Sequence, residues 1–132
     1  MNMWVYSNGT GRYTPISFRQ TSVQSNSIID FYKGSYYSYA TGYIGETKFY
    51  INSNEVSPNS VNWYWCKIEL NSPVFDTLTD FNKTGTVYHE IGHAFGLAHP
   101  DTLTHSVMPQ LGQGRYVNGP QGIDFDEINV KY

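Results

Sequence analysis

The chain has a single cysteine, few basic residues and no long apolar run. Because Cys66 stands alone, no disulfide can form within the chain. Eight lysine and arginine residues among 132, with a net charge of −3, provide no basic stripe for the phosphates of a nucleic acid. No apolar run approaches the roughly 18 residues that are needed to cross a bilayer. We therefore expect neither a nucleic-acid partner nor a membrane span.

The length of the chain suits one small hydrophobic core. We expect a single domain over residues 1–132 and a monomer. The first residues, MNMWVYSNGTGRY, lack the apolar segment of a signal peptide. The composition is nevertheless rich in Tyr, Asn, Ser, Thr and Gly and poor in Lys and Glu, which resembles secreted bacterial-type domains. An extracellular location is therefore expected, with this chain as a processed or recombinant form. The alternative, a naturally short cytosolic protein, is compatible with the single cysteine and stays open.

The chain changes character near Asp80, with strand-like runs before that residue and a helical pattern after it. Four short runs of β-branched or aromatic residues, separated by Gly, Asn, Ser and Pro, predict strands at Ile16–Arg19, Ser27–Tyr32, Thr47–Ile51 and Trp63–Leu70. The tyrosine-rich segment GSYYSYATGYIG is better interpreted as a cover for this sheet than as a binding surface.

Eleven residues, HEIGHAFGLAH from His89 to His99, combine three histidines with a glutamate and a glycine. Residues four apart lie on one face of a helix, so His89 and His93 can point at the same metal ion. Gly96 favours a left-handed helix end, after which His99 can approach the metal from another direction. Three imidazole nitrogens leave one coordination position open, which is typical of catalytic zinc sites.

Glu90 directly follows the first of these histidines. Its carboxylate can take a proton from a metal-bound water, which is the role of a general base. A histidine pair at helical spacing is commonly a surface or core feature. Three His, one Glu and one Gly at fixed positions, however, arise by chance in roughly one chain in 10⁵. The motif therefore predicts zinc-dependent hydrolysis.

Two helices are expected in the C-terminal part. The first is predicted to begin near Thr84 or Thr86, where a hydroxyl can cap free amides, and to end near Phe95. Its apolar stripe consists of Val87, Ile91, Ala94 and Phe95. A second, short helix is expected to begin near Pro120. Its apolar face consists of Phe125, Ile128 and Tyr132.

With this motif the chain resembles the metzincin metallopeptidases, whose extended zinc motif is followed by a methionine turn beneath the metal. Ser106-Val107-Met108 is similar to that turn, and Gln121 to Tyr132 is similar to the helix that closes metzincin catalytic domains. Pro100, after the third histidine, resembles the serralysins, whereas the short link to Met108 is more like the matrixins. Both subfamilies stay open.

The resemblance implies an α+β fold, in which a small twisted mixed sheet packs on a zinc-binding helix and is followed by a methionine turn and a C-terminal helix. Metzincin domains usually open with a strand and a long helix. Nothing before Ile16 has helical periodicity, and Trp4 matches at most the tail of such a helix. The resemblance therefore implies that this opening portion lies outside the chain.

The resemblance also implies residue roles. Glu90 would be the catalytic base, and one zinc ion would be bound by His89, His93 and His99. The site would be supported by Gly96, Met108 and Asp124, of which the aspartate matches one that hydrogen-bonds the methionine turn. Tyr116 matches the outer wall of the pocket for the first residue beyond the scissile bond. Serralysins and astacins carry a tyrosine two residues after the turn methionine, where this chain has Gln110.

The expected function is zinc-dependent endopeptidase activity on a protein or peptide substrate. Two alternatives stay open: a catalytically silent, zinc-stabilised binding module, and a zinc hydrolase of non-peptide amides. Glu90 argues against the binding module, because a structural zinc gains nothing from a carboxylate beside an open coordination position. Calcium binding, the cleavage specificity and the subfamily are left open by the sequence, and His105 is assigned no ligand role.

Overall fold

A computed structural model describes residues 2–132, which form two compact units. One unit is residues 20–78. The other combines residues 2–19 with residues 79–132. The boundary between residues 78 and 79 lies close to Asp80, where the sequence predicted a change from strand-like runs to a helical pattern. The association of the N-terminal residues with the C-terminal part was not predicted, and the single catalytic domain over residues 1–132 stays a prediction.

Residues 20–78 contain a mixed four-stranded sheet. Its strands are β1 (Ile29–Gly34), β2 (Gly45–Ile51), β3 (Asn54–Val56) and β4 (Trp65–Asn71), and a short helix α2 (Ser72–Phe75) follows β4. The strand order is β1-β4-β2-β3, with β1 parallel to β4 and the other two pairings antiparallel. The predicted mixed α+β class is therefore confirmed, whereas the metzincin-like arrangement stays a prediction.

Three of the four predicted strands are present, with shifted ends. The strand predicted at Ile16–Arg19 is wrong: this segment is irregular and belongs to the other unit, where the Phe18 ring lies 5.5 Å from that of Phe95. The strand at Asn54–Val56 was missed. It follows β2 after two residues only, and Asn52 makes that turn with a φ of 55°, a conformation that asparagine tolerates better than most residues.

The tyrosine-rich segment between β1 and β2 is held by one buried side chain. Asn71, only 1% exposed, accepts hydrogen bonds through Oδ1 from the backbone amides of Tyr36 and Tyr37 and donates from Nδ2 to the carbonyl of Tyr43. The Tyr37 hydroxyl also donates to Glu46 at 2.6 Å. The Asn71 side chain thus satisfies backbone groups of the tyrosine-rich segment, whereas the role of these tyrosines as a cover for the sheet stays a prediction.

The unit formed by residues 2–19 and 79–132 contains three α-helices. They are α1 (Asn2–Val5), α3 (Asp80–Ala94) and α4 (Gly122–Lys131), and further 3₁₀ turns include Ser7–Gly9 and Leu111–Gln113. Trp4 is completely buried, with its ring 5.5 Å from Phe95 and 5.8 Å from Phe125. Trp4 therefore lies in a four-residue helix, although no helical periodicity was found before Ile16, and it contributes to the core of this unit. Its match to the tail of a long metzincin helix stays a prediction. Among the helices of residues 2–132, none has the length and apolar character that crossing a bilayer requires.

Helix α3 begins earlier than predicted. Thr79 is its N-cap, and the threonine side chain accepts a hydrogen bond from the amide of Asn82. The predicted start at Thr84 or Thr86 was therefore wrong, because the capping hydroxyl belongs to Thr79. Gly85 does not interrupt the helix. Gly85 instead leaves room for a neighbouring side chain: a Cβ there would lie 3.1 Å from the guanidinium of Arg115.

We expect Asn71→Leu to destabilise the protein by about 2–4 kcal/mol, because it removes the side-chain hydrogen bonds of three part-buried backbone groups. The measurement is the free energy of unfolding from a urea titration. Asn62→Leu, at an exposed position, is the matched control and should change this free energy little. A loss below about 1 kcal/mol for Asn71→Leu would contradict the anchoring role.

Candidate metal centre

Helix α3 and the turn that ends it bring three histidines together. Gly96, at a φ of 82°, reverses the chain after Phe95: its amide donates to the carbonyl of His93, and the amide of Leu97 donates to that of Gly92. This pair of bonds is the Schellman arrangement that a glycine in the left-handed conformation permits. The predicted helix end at Gly96 is therefore present, and the chain that leaves it carries His99 back to the helix.

The three imidazoles meet at their Nε2 atoms. The distances between these atoms are 3.1 Å for each of the pairs His89–His93, His89–His99 and His93–His99. Among residues 2–132, these are the side chains that are grouped closely enough to bind one metal ion. His105 lies apart from them, with its ring 5.5 Å from that of Tyr116.

Main-chain carbonyls fix the tautomers of the first two histidines. Nδ1 of His89 lies 3.0 Å from the carbonyl oxygen of Val107, and Nδ1 of His93 lies 2.8 Å from that of Leu97. A carbonyl only accepts, so each Nδ1 carries the proton and each Nε2 is left with a lone pair. The Nε2 lone pairs of His89 and His93 then face each other at 3.1 Å and repel. A cation placed among the three nitrogens would instead be attracted by both lone pairs.

A proton is a poor candidate for that cation. Burial lowers the pKa of all three imidazoles: that of His89 falls well below its usual value, that of His93 falls to about 4, and that of His99 is lowered less. The neighbouring imidazoles add to the effect for the first two, because each would repel a second positive charge. Near neutral pH the three imidazoles are therefore uncharged, and His89 and His93 each present an unprotonated Nε2.

The methionine turn lies against the same helix and is organised by Asp124. This aspartate, 1% exposed, accepts hydrogen bonds from the Ser106 hydroxyl, from the Val107 amide at 3.0 Å and from the Gln121 amide at 2.7 Å. The Ser106 hydroxyl in turn accepts from the amide of Met108. Asp124 thus fixes the peptide whose carbonyl orients His89, and it lies where the resemblance places a supporting residue.

Gly92 is a site residue that the sequence did not single out. It lies on α3 one residue before His93, and a Cβ there would overlap the sulfur of Met108 and lie 3.3 Å from the ring of Trp4. The absence of a side chain at this position lets the methionine side chain lie directly against the helix. The spacing of the histidine motif could not reveal this contact, because Trp4 and Met108 come from distant parts of the chain.

Glu90 is buried, with 4% exposure, and it shares a helix face with Thr86 and Asn82. The buried guanidinium of Arg115 lies on this face, where it donates to the Thr86 hydroxyl at 3.1 Å and to the Asn82 carbonyl at 3.4 Å. Burial lowers the pKa of Arg115, and the negative charge of Glu90 counteracts that effect. Arg115 was also missed by the sequence interpretation, in which a lone arginine in a loop carries no signal.

Tyr116, the predicted pocket wall, and Gln110, the residue two positions after Met108, are both exposed. Tyr116 is 53% exposed and contacts His105, so the structure gives it a ring partner but no contact with the three histidines. Gln110 contacts the histidine cluster, with its Nε2 3.4 Å from Nδ1 of His99. The wall role of Tyr116 stays a prediction.

Comparison with models of known protein families, with curated proteins and with solved structures finds no match to this chain. The chemistry of the site therefore has to follow from its own atoms.

We expect Gly92→Ala to destabilise the protein by about 1–3 kcal/mol, because the added methyl group displaces Met108. The displacement should also weaken metal binding, since Met108 follows the peptide that orients His89. Gly122→Ala is the control, because Gly122 is also a helical glycine, the first residue of α4, but has open space around it. The measurements are urea unfolding and zinc affinity. A Gly92→Ala protein as stable as the parent would contradict the packing described here.

Proposed function

We propose that the chain is a zinc-dependent endopeptidase. The observation that carries the proposal is the set of three convergent Nε2 atoms, two of them held as bare lone pairs, beside a buried glutamate. Zinc with three histidine ligands and one open position is a common catalytic arrangement. A metal that was only structural would more often be enclosed by four protein ligands.

The donor set fits zinc. Nitrogens bound about 2.0–2.1 Å from one zinc ion at tetrahedral angles lie about 3.3 Å apart, close to the separations among the three Nε2 atoms. Neutral imidazole is a good zinc ligand, and each of the first two histidines passes its other ring proton to a carbonyl, as zinc-bound histidines usually do. When bound, zinc supplies Lewis acidity, which polarises the scissile carbonyl and lowers the pKa of a water molecule.

Glu90 supplies the proton transfers. Its carboxylate takes a proton from the attacking water and then delivers it to the nitrogen of the departing amine, so that no charged amide leaving group is formed. Arg115 places a buried positive charge near this carboxylate, and the negative charge of Glu90 opposes the lowering of the Arg115 pKa by burial.

Covalent catalysis by the cysteine has no support in the structure. Cys66 is 1% exposed, and burial raises the pKa of its thiol to about 12, so the nucleophilic thiolate is scarce near neutral pH. Cys66 is therefore a packed residue of the sheet. The proposed reaction therefore proceeds by direct attack of water on the peptide carbonyl, without a covalent intermediate.

Glu90→Ala should lose about 10²- to 10⁴-fold in kcat while keeping one zinc per chain, because the ligands are untouched and only the proton carrier is removed. The measurement is cleavage of a quenched-fluorescent peptide library by zinc-loaded protein, with zinc content determined in parallel. Glu127→Ala, which removes an exposed glutamate of the same unit, is the control and should cleave like the parent.

Cleavage that disappears with a chelator and in Glu90→Ala would support the endopeptidase. Near-normal turnover of Glu90→Ala would remove the assigned base. If zinc is bound stoichiometrically and no peptide is cut, the binding module or the non-peptide amide hydrolase becomes the better interpretation.

Acid should both destabilise the protein and release the metal. In the unfolded chain the histidines titrate near 6.5, whereas burial lowers their pKa in the folded chain, to about 4 for His93. The unfolded chain therefore binds more protons as pH falls below about 6.5, and the free energy of unfolding of the chelator-treated protein should fall through this range. Zinc should be released over its lower part, as protons reach the ligands. Urea titrations and a zinc indicator measure the two effects, and full zinc occupancy at about pH 3 would contradict the three-histidine site.

A further inference from the structure

The third histidine is held differently from the first two. His89 and His93 direct Nδ1 at main-chain carbonyls, which are fixed by the helix end and the methionine turn. Nδ1 of His99 instead faces a side chain, the amide of Gln110, at 3.4 Å. Both His99 and Gln110 are exposed, so this contact is the one part of the imidazole cluster that a side-chain rotation can change.

The orientation of the Gln110 amide decides which nitrogen of His99 carries the proton. Here the amide Nε2 faces the ring, so Nδ1 accepts and the proton of a neutral His99 sits on its Nε2. That tautomer cannot bind a metal through Nε2. A metal on Nε2 requires the proton on Nδ1, and the group that faces Nδ1 must then be an acceptor. In Gln110 the only acceptor is Oε1, which a half-turn of the amide brings to this position.

Oε1 of Gln110 already has a partner. Gln110 precedes the 3₁₀ turn Leu111–Gln113, and its side chain accepts from the backbone amide of Gln113, while the Gln113 side chain accepts from the amide of Gln110 at 3.0 Å. The Gln110 carbonyl also accepts from the amides of Gln113 and Arg115. The backbone of Gln110 is therefore well held, and only its side-chain amide is shared between the turn and the histidine.

We propose that Gln110 is a positioning residue for the third ligand: its amide carbonyl accepts the Nδ1 proton of His99 and so selects the tautomer that binds metal. This inference rests on the proposed metal site. It adds a cost to metal binding, because the amide must leave the cap of the 3₁₀ turn when it turns toward His99. The conformation of Leu111–Gln113 is thereby coupled to occupation of the site.

Three variants separate the two roles of the amide. Gln110→Met keeps the length of the side chain but has no acceptor for the His99 proton. Gln110→Glu has only acceptors and should hold the metal-binding tautomer permanently. Gln113→Met removes the side-chain acceptor of the Gln110 backbone amide and so disrupts the capping pair of the 3₁₀ turn. The side-chain amide of Gln110 can still accept the Nδ1 proton of His99 in this variant.

The measurement is zinc affinity, by competition with a chromophoric chelator near neutral pH, for the parent chain and the three variants. Gln110→Met should bind zinc about 10- to 100-fold more weakly, the usual effect of losing a partner behind a ligating histidine. Gln110→Glu should bind at least as tightly as the parent, and Gln113→Met should bind as tightly or slightly more tightly. The visible spectrum of bound Co²⁺ should change in Gln110→Met and stay unchanged in Gln113→Met.

Equal affinities of Gln110→Met and the parent would overturn the proposal. So would a similar loss in Gln113→Met, because the effect would then come from the turn and not from the histidine. Both positions are exposed, and urea unfolding in the presence of chelator verifies that each variant is folded. Affinity is measured without any substrate, so the result stands whether or not peptides are cleaved. A parent chain that binds no zinc would overturn the metal site and this proposal together.

Discussion

The metal centre depends on the repulsion between two buried lone pairs. Two main-chain carbonyls, those of Val107 and Leu97, force the protons of His89 and His93 away from the point where their Nε2 atoms meet. Folding of this unit therefore brings two nitrogen lone pairs together, and burial of the imidazoles lowers their pKa, so that protons do not neutralise the repulsion near neutral pH. A bound cation would remove the repulsion between the two lone pairs. Metal affinity and the free energy of unfolding of this unit are therefore expected to be linked.

The rest of the unit keeps those carbonyls in place. The Leu97 carbonyl is positioned by the glycine turn at the end of α3, and the Val107 carbonyl belongs to a turn whose amide is bound by Asp124. Gly92 lets Met108 lie against the helix at the level of the histidines. The glycine turn, the Asp124 hydrogen bond and the packing at Gly92 all hold the main chain, which moves little in a packed unit. The third ligand differs, because its orientation depends on a rotatable side chain.

The sequence predicted the parts of the site that are local in the chain. The spacing of His89, His93 and His99 and the glycine at 96 suffice to predict a helix, its end and the histidine cluster, because helix geometry converts spacing directly into position. It did not reveal the roles of Gly92, Gln110 or Arg115, which follow from contacts with distant residues. The sheet was predicted only in part for the same reason. Ile16–Arg19 has the composition of a strand, but Phe18 packs against Phe95 in the other unit. A local sequence pattern cannot show that this distant contact is preferred to strand pairing.

The division of the chain also affects the order in which the protein can be made. The unit that contains the metal site is discontinuous: Trp4, near the start, packs against Phe125, near the end, and residues 20–78 intervene. During synthesis the intervening sheet can form while α4 is still missing, whereas the histidine unit must await α4. Such long-range closure is favoured if the intervening segment has already ordered, because less chain entropy then remains to be lost. On a ribosome, the nascent chain would thus be unable to retain a metal until α4 had emerged.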